Sequence, residues 1–94
     1  MKLTLFVLEH CPFCRRARQY IEELKEEYPE FQSIEIDIID EEKQKELADS
    51  YDYYYVPTFY LGKQKLHEAG INKDEVKELF KFIIDSNIHT DEKN

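Results

Sequence analysis

Cysteine is scarce in this chain of 94 residues, which contains two cysteines, Cys11 and Cys14. With no further cysteine, the chain cannot form the several structural disulfides that hold many small secreted domains together. A single pair of cysteines suits a reducing cytoplasm, where disulfides are transient and catalytic. The cysteine count therefore predicts a cytoplasmic protein that uses this pair for chemistry.

Long hydrophobic runs are also missing. The first apolar run, residues 3–8, is much shorter than the roughly 20 residues that a membrane-spanning helix requires. It leads directly into the two cysteines and is not followed by the small-residue cleavage site of a secretory signal. The sequence therefore predicts neither membrane association nor export.

The chain has fewer positive than negative side chains. It contains 13 Lys and Arg residues and 21 Asp and Glu residues, which give a net charge of −8. Such a surface repels nucleic acid and anionic membranes, so neither is an expected partner. Seven tyrosines and six phenylalanines help to supply a core for one folded domain of this length. We expect a monomer with one domain over residues 1–88 and a disordered polar tail over residues 89–94.

The two cysteines stand in the sequence Cys11-Pro12-Phe13-Cys14, a spacing used for reversible dithiol chemistry. A buried strand is predicted before this motif, and helical periodicity follows it as far as about Tyr28. Pro12 suits the first position of that helix, which places Cys11 at the helix N-terminus. There, free N–H groups and the helix dipole favour a thiolate, so Cys11 is the predicted nucleophile. Cys14 returns to the same side of the helix and is the predicted resolving cysteine.

Charged neighbours are predicted to tune the ionisation of Cys11. Arg15 and Arg16 add positive charge one turn into the helix, in a chain that is otherwise acidic. His10 precedes Cys11 and is expected to tune its ionisation or to point to solvent. A zinc site would need two further ligands, but there is no second cysteine pair and the other two histidines lie far apart in the sequence. We therefore predict no bound metal.

Hydrophobic periodicity predicts an α/β fold with the element order β-α-β-α-β-β-α, in which three helices flank a four-stranded mixed sheet. In the second strand, Ile34, Ile36 and Ile38 alternate with acidic residues. They should share one buried face of an edge strand that runs parallel to the first strand. Asp40 is the predicted N-cap of the second helix. The predicted elements cover residues 2–8, 12–28, 32–38, 40–50, 58–61, 64–68 and a last helix after residue 72.

Four tyrosines fall within five positions, at residues 51 and 53–55. The first interpretation is packing beneath the third strand, with a few hydroxyl groups reaching water, because buried aromatic side chains mostly belong to a core. The alternative is a contact surface for a substrate peptide. The sequence leaves both interpretations open.

The segment from Cys11 to Arg16 resembles the active site of dithiol glutaredoxins, a branch of the thioredoxin superfamily, because Cys-Pro-aromatic-Cys is followed by two arginines. The Trp-Cys-Gly-Pro-Cys motif of thioredoxins is not present. Val56-Pro57 resembles the Val-Pro of the glutaredoxin signature, which implies a cis-proline that faces the two cysteines. The resemblance covers about residues 2–86 and implies the thioredoxin/glutaredoxin fold.

The same resemblance implies a function. A backbone segment at the cis-proline can pair with an extended substrate that reaches the cysteine motif. The implied substrate-binding residues are Pro12, Phe13, Val56 and Pro57. The implied activity is that of a thiol-disulfide oxidoreductase that reduces protein disulfides or glutathione mixed disulfides. Its implied partners are disulfide-bearing proteins and a cellular reductant system. No cofactor is expected to be bound, and glutathione is the implied reductant.

Two positions depart from the glutathione-binding pattern of glutaredoxins. Leu8 stands three residues before Cys11, where that pattern has Lys or Arg, and Gly70 stands alone where the pattern has two glycines. Two alternatives therefore stay open beside a glutaredoxin. One is a thioredoxin-like disulfide reductase that another reductant recycles, and the other is a non-catalytic interaction module built on the same fold.

Overall fold

The computed structural model describes residues 2–93, with side chains described for residues 2–86. Within this range the strands and α-helices follow the predicted order. Their bounds are β1 Lys2–Val7, α1 Pro12–Glu27, β2 Glu35–Asp40, α2 Lys45–Asp49, β3 Thr58–Leu61, β4 Gln64–Glu68 and α3 Lys73–Lys93. No helix in this described part of the chain is long and apolar enough to span a membrane.

The four strands form one mixed sheet in the order β2-β1-β3-β4, which confirms the predicted architecture. β1 pairs in parallel with β2 and antiparallel with β3, and β3 pairs antiparallel with β4. The hairpin between β3 and β4 turns at Gly62, whose φ of 62° lies in the left-handed region that favours glycine. β2 is an edge strand, as predicted. β1 is an inner strand of the sheet, and the loop that carries Cys11 follows its end.

One face of the sheet carries the larger core, beneath α1 and α3. Buried side chains recur every three or four residues along α1, so they form one stripe that faces the sheet. α3 begins with a capping box, in which Asn72 Oδ1 accepts a hydrogen bond from Glu75 N at 2.8 Å and Glu75 Oε1 accepts one from Asn72 N at 3.0 Å. The core on this face contains Leu5, Val7, Cys14, Ala17, Ile21, Leu24, Phe31, Phe59, Val76, Phe80 and Ile83.

The opposite face is covered by the short helix α2 and by aromatic side chains. Phe6, Ile39, Ala48 and Tyr60 are buried together there. Phe6 is fully buried, and its ring centroid lies 5.9 Å from that of Tyr60, with the two rings nearly perpendicular. Edge-to-face ring contacts of this kind are favourable beyond the area that they bury.

The four clustered tyrosines divide into two pairs. The ring centroids of Tyr51 and Tyr53 lie 4.8 Å and 4.9 Å from that of Phe6, which confirms the packing interpretation for these two residues. Tyr54 and Tyr55 are 83% and 67% exposed. Those two side chains contribute little to the core, so packing does not account for them.

The second strand starts three residues later in the chain than predicted. Residues Pro29–Ser33 form a 3₁₀ helix that buries Phe31, so β2 starts at Glu35. Ile38 is 41% exposed, whereas Ile39 is buried on the α2 side of the sheet. The prediction that Ile38 faces the core is therefore wrong. An edge strand has a neighbour on one side only, and alternation alone does not show which of its residues are covered.

The second helix is shorter than predicted. Asp40 Oδ1 accepts hydrogen bonds from Glu42 N at 2.9 Å and from Lys43 N at 3.3 Å. This side chain therefore closes a local turn, as aspartates often do. α2 begins only at Lys45, after Gln44, whose side chain makes no capping hydrogen bond. The prediction that Asp40 caps the helix is wrong for this reason.

The last helix, α3, continues to Lys93, within the predicted tail. The side chains of residues 87–93 and all of residue 94 lie outside the described residues. The disordered tail over residues 89–94 and the domain boundary after residue 88 therefore stay predictions.

Candidate active site

Cys11 is the N-cap residue of α1 and ends the loop that follows β1. Its backbone is extended, with φ −91° and ψ 112°, and its Sγ accepts a hydrogen bond from Cys14 N at 3.2 Å. In most helices an oxygen of Ser, Thr, Asp or Asn makes this contact, whereas here a sulfur makes it. Cys11 is half-buried, so reactants can reach a sulfur that lies at the positive end of the helix.

Cys14 lies deeper, in the core beneath α1, where 2% of its surface is exposed. Burial, followed by the hydrogen bond and the charge of Cys11, raises the pKa of the Cys14 thiol from 9.0 to about 12. Cys14 is thus held as a neutral thiol behind the accessible sulfur. Cys14 is therefore the less accessible of the two sulfurs, and the division between an attacking and a resolving cysteine stays a prediction.

The segment before β3 faces the sulfur of Cys11. The Val56-Pro57 peptide bond is cis, as the resemblance implied, and Pro57 is buried. The carbonyl oxygen of Val56 lies 3.9 Å from Cys11 Sγ, although the two residues are 45 positions apart in the sequence. The fold therefore brings the two predicted motifs to one place.

Phe13 forms part of the surface around the cysteines and is 54% exposed. Its ring lies against the loop between β4 and α3, since a Cβ atom added at Gly70 would lie 3.4 Å from Phe13 Cδ1. The guanidinium carbon of Arg16 lies 5.7 Å from the centre of the same ring. Gly70 is therefore in contact with the cysteine motif. From the sequence, Gly70 is only a departure from the glutathione-binding pattern.

The three predicted tuning residues lie on the surface around the site. His10, Arg15 and Arg16 are all exposed. Between residues 2 and 86, no side-chain hydrogen bond joins any of the three to Cys11, and the backbone N–H of Arg15 donates to the carbonyl oxygen of Cys11 at 3.1 Å. The guanidinium group of Arg16 lies over the ring of Phe13. Their tuning role stays a prediction.

Over residues 2–86 there is no group of three or more His, Cys, Asp or Glu side chains arranged to hold a metal ion. His67 instead lies with Nε2 2.9 Å from the carbonyl oxygen of Gly70, in the loop before α3. This histidine supports the loop against which Phe13 packs.

Glu68 is a part of the site that the sequence analysis missed. Its Oε2 accepts hydrogen bonds from the backbone N–H groups of Tyr54 and Tyr55, which come just before Val56. Its Oε1 lies 2.8 Å from Lys65 Nζ. No local signal marks this role, because a charged residue at the end of an edge strand is usually solvated.

The comparisons with known proteins agree with this geometry. The family model of glutaredoxins matches residues 3–67. A thioredoxin of Ophiophagus hannah is 32% identical over 74 residues, which cover 76% of this chain and 68% of that protein. The chain belongs to the glutaredoxin family. Membership of this family supports an activity of the thiol-disulfide oxidoreductase class. Proteins of this family generally act on disulfide-bearing proteins or glutathione adducts.

Solved structures show the same fold at lower sequence identity. The oxidised thioredoxin of Plasmodium falciparum superposes with a TM-score of 0.68 at 20% identity, over 87% of this chain and 79% of that one. A mutant thioredoxin of Halobacterium salinarum superposes with a TM-score of 0.63 at 23% identity, over 85% of this chain and 71% of that one. The chain therefore has the thioredoxin fold.

Proposed function

We propose that this protein is a glutaredoxin-like enzyme that reduces protein disulfides or glutathione mixed disulfides by dithiol exchange. One observation carries the proposal. The sulfur of half-buried Cys11 caps a helix N-terminus and accepts a hydrogen bond from Cys14 N, while the thiol of Cys14 is buried next to it. A thiolate is the reactive form of cysteine, and these groups are the kind that stabilise negative charge on sulfur.

In the first step the thiolate of Cys11 attacks one sulfur of the substrate disulfide. A bond forms between Cys11 Sγ and that sulfur, the substrate S–S bond breaks, and the second substrate sulfur leaves as a thiolate that takes up a proton. Since the carbonyl oxygen of Val56 lies 3.9 Å from Cys11 Sγ, the backbone there is placed to pair with the substrate chain.

In the second step Cys14 gives up its thiol proton and attacks Cys11 Sγ. The Cys11–Cys14 bond forms, and the first substrate sulfur leaves as a thiolate that takes up a proton. The substrate has then gained two electrons and two protons. Burial contributes most to the raised pKa of Cys14, and the hydrogen bond and the charge of Cys11 add to it. The charge is lost once Cys11 is bonded to substrate, so Cys14 ionises more easily in the intermediate that it must resolve.

Glutathione is the proposed reductant that returns the oxidised pair to two thiols, in a reducing cytoplasm. The match to the glutaredoxin family supports this choice. The alternative is recycling by another reductant system, as in thioredoxins. Two observations favour the alternative: Leu8 carries no charge where the glutathione-binding pattern has a cation, and the chain is 32% identical to a thioredoxin.

The test is glutathione-dependent turnover of a small glutathione mixed disulfide, coupled to glutathione reductase, in the wild type, Cys11→Ser and Cys14→Ser. Removing the nucleophile should lower turnover by at least about a thousandfold. Cys14→Ser should retain turnover, because free glutathione can resolve a mixed disulfide between Cys11 and glutathione.

The controls separate the alternatives. Insulin reduction with dithiothreitol, but no glutathione-dependent turnover, would show that another reductant serves the enzyme. A wild-type protein that exchanges with neither disulfide would leave the non-catalytic interaction module as the remaining interpretation.

A further inference from the structure

The carboxylate of Glu68 binds the backbone just before the cis-proline. Its Oε2 accepts hydrogen bonds from Tyr54 N at 2.5 Å and from Tyr55 N at 3.0 Å. Its Oε1 accepts a hydrogen bond from Lys65 Nζ at 2.8 Å. Glu68 thus connects two successive N–H groups of the loop to the end of β4.

A further contact holds the same loop from β3. The buried Thr58 donates its hydroxyl hydrogen bond to the carbonyl oxygen of Tyr55. The peptide groups on both sides of Tyr55 are therefore bonded. Val56 follows directly, and its carbonyl oxygen lies 3.9 Å from Cys11 Sγ. Glu68 can therefore influence the surroundings of Cys11 through this loop.

Packing does little to hold the two tyrosines before Val56, whereas Val56 itself packs against both buried clusters. The side chains of Tyr54 and Tyr55 are 83% and 67% exposed, so they bury little apolar surface. The hydrogen bond from Lys65 is the largest cause that lowers the pKa of Glu68 to about 2, and the N–H groups of Tyr54 and Tyr55 lower it further. Burial opposes this shift but does not reverse it. The carboxylate therefore stays charged, and its hydrogen bonds remain strong, at physiological pH.

We propose that Glu68 is a positioning residue that holds residues 54–56, here called the docking segment, so that the backbone of Val56 is ready to pair with protein disulfide substrates. The proposal rests on the oxidoreductase function proposed above. Because the hydrogen bonds to Tyr54 and Tyr55 order the segment before a substrate arrives, binding loses less conformational freedom. A small disulfide that reaches Cys11 without pairing to the docking segment does not depend on Glu68.

Three variants isolate this role. Glu68→Leu removes both the acceptor and the charge, whereas Glu68→Gln keeps a side-chain oxygen that can accept from both N–H groups. Lys65→Met removes the ion pair and leaves the carboxylate. Glu68→Thr, which suits a strand and is too short to reach the loop, replaces Glu68→Leu if that variant fails to fold by circular dichroism.

The assays separate docking from chemistry. One gives KM and kcat for insulin disulfides, with dithiothreitol as reductant. The other gives the second-order rate constant for a single turnover in which the two thiols of the reduced protein reduce the small disulfide 5,5′-dithiobis(2-nitrobenzoate). Amide hydrogen exchange at Tyr54 and Tyr55, followed by NMR, reports the order of the docking segment directly.

Glu68→Leu should raise KM for insulin and the exchange rates at Tyr54 and Tyr55 by about tenfold. It should change the single-turnover rate constant for the small disulfide by less than about twofold. Glu68→Gln and Lys65→Met should stay within about threefold of wild type. Wild-type KM and exchange in Glu68→Leu, or equal losses on both substrates, would overturn the positioning role. A wild-type protein that reduces neither substrate would instead refute the proposed oxidoreductase function.

Discussion

The two faces of the sheet place the two halves of the candidate site by different means. On the side of α1 and α3, the buried cluster is apolar and includes Cys14. On the side of α2, the cluster around Phe6 is aromatic, and its tyrosine hydroxyls bond to polar groups. The first face holds the sulfur of Cys14 by packing, whereas the second leads into Tyr54 and Tyr55, whose backbone groups are held by hydrogen bonds. The difference shows that the buried thiol and the two tyrosines before Val56 are held by different kinds of interaction.

Phe80→Ala should give the largest effect, because it damages the first face. Phe80 is fully buried, and its ring centroid lies 5.2 Å from that of Phe31. Truncation leaves a cavity and should lower the free energy of unfolding by about 3–5 kcal/mol, measured by urea denaturation. Phe82→Ala is the matched control on the same helix, since Phe82 is 44% exposed. Equal losses in the two variants would contradict the packing that places Cys14.

Tyr60→Phe should give an intermediate effect, because it removes one polar contact from the second face and keeps the ring. The Tyr60 hydroxyl donates a hydrogen bond to the carbonyl oxygen of Asp52 at 2.6 Å. Its loss should lower the free energy of unfolding by about 1 kcal/mol in the same denaturation assay. Tyr54→Phe is the control, since Tyr54 is 83% exposed. If Tyr60→Phe is no less stable than this control, the hydroxyl contact does not support the second face.

Glu68→Gln should give the smallest effect on stability, and the difference from wild type should disappear in acid. Since the pKa of Glu68 is lowered from 4.5 to about 2, the unfolded chain takes up this proton at a higher pH than the folded chain. The stability from this group is therefore present above about pH 4.5 and is lost as pH falls toward 2. The variant should show a shallower loss of unfolding free energy between these pH values. Glu46→Gln, an exposed site on α2, should not.

Helices, caps and the cysteine motif could be predicted from the sequence because their signals are local. Pro12 at the first helical position and the Asn72–Glu75 pair each specify a helix start through residues within one turn. Asp40 shows the limit of such reasoning, since its side chain closes a turn that precedes the helix it was predicted to cap. A capping residue and an Asx turn use the same atoms, and the sequence alone does not distinguish them.

Burial along β2 and among the tyrosines could not be predicted in the same way. Ile38 and Ile39 are adjacent and have identical side chains, but only Ile39 lies under α2. Tyr53 packs on Phe6, whereas the adjacent Tyr54 is exposed. Which side chain is covered depends on where distant elements dock, and no periodicity within the segment contains that information.

The sequence by itself determined the element order, the spacing of the two cysteines and the place of Cys11 at a helix start, because these depend on residues a few positions apart. The tertiary structure decided what surrounds that sulfur. Val56 O reaches Cys11 across 45 positions, and Glu68 reaches Tyr54 across 14 positions. Contacts at these separations form only when the strands of the sheet pair in one register, so they are properties of the folded chain.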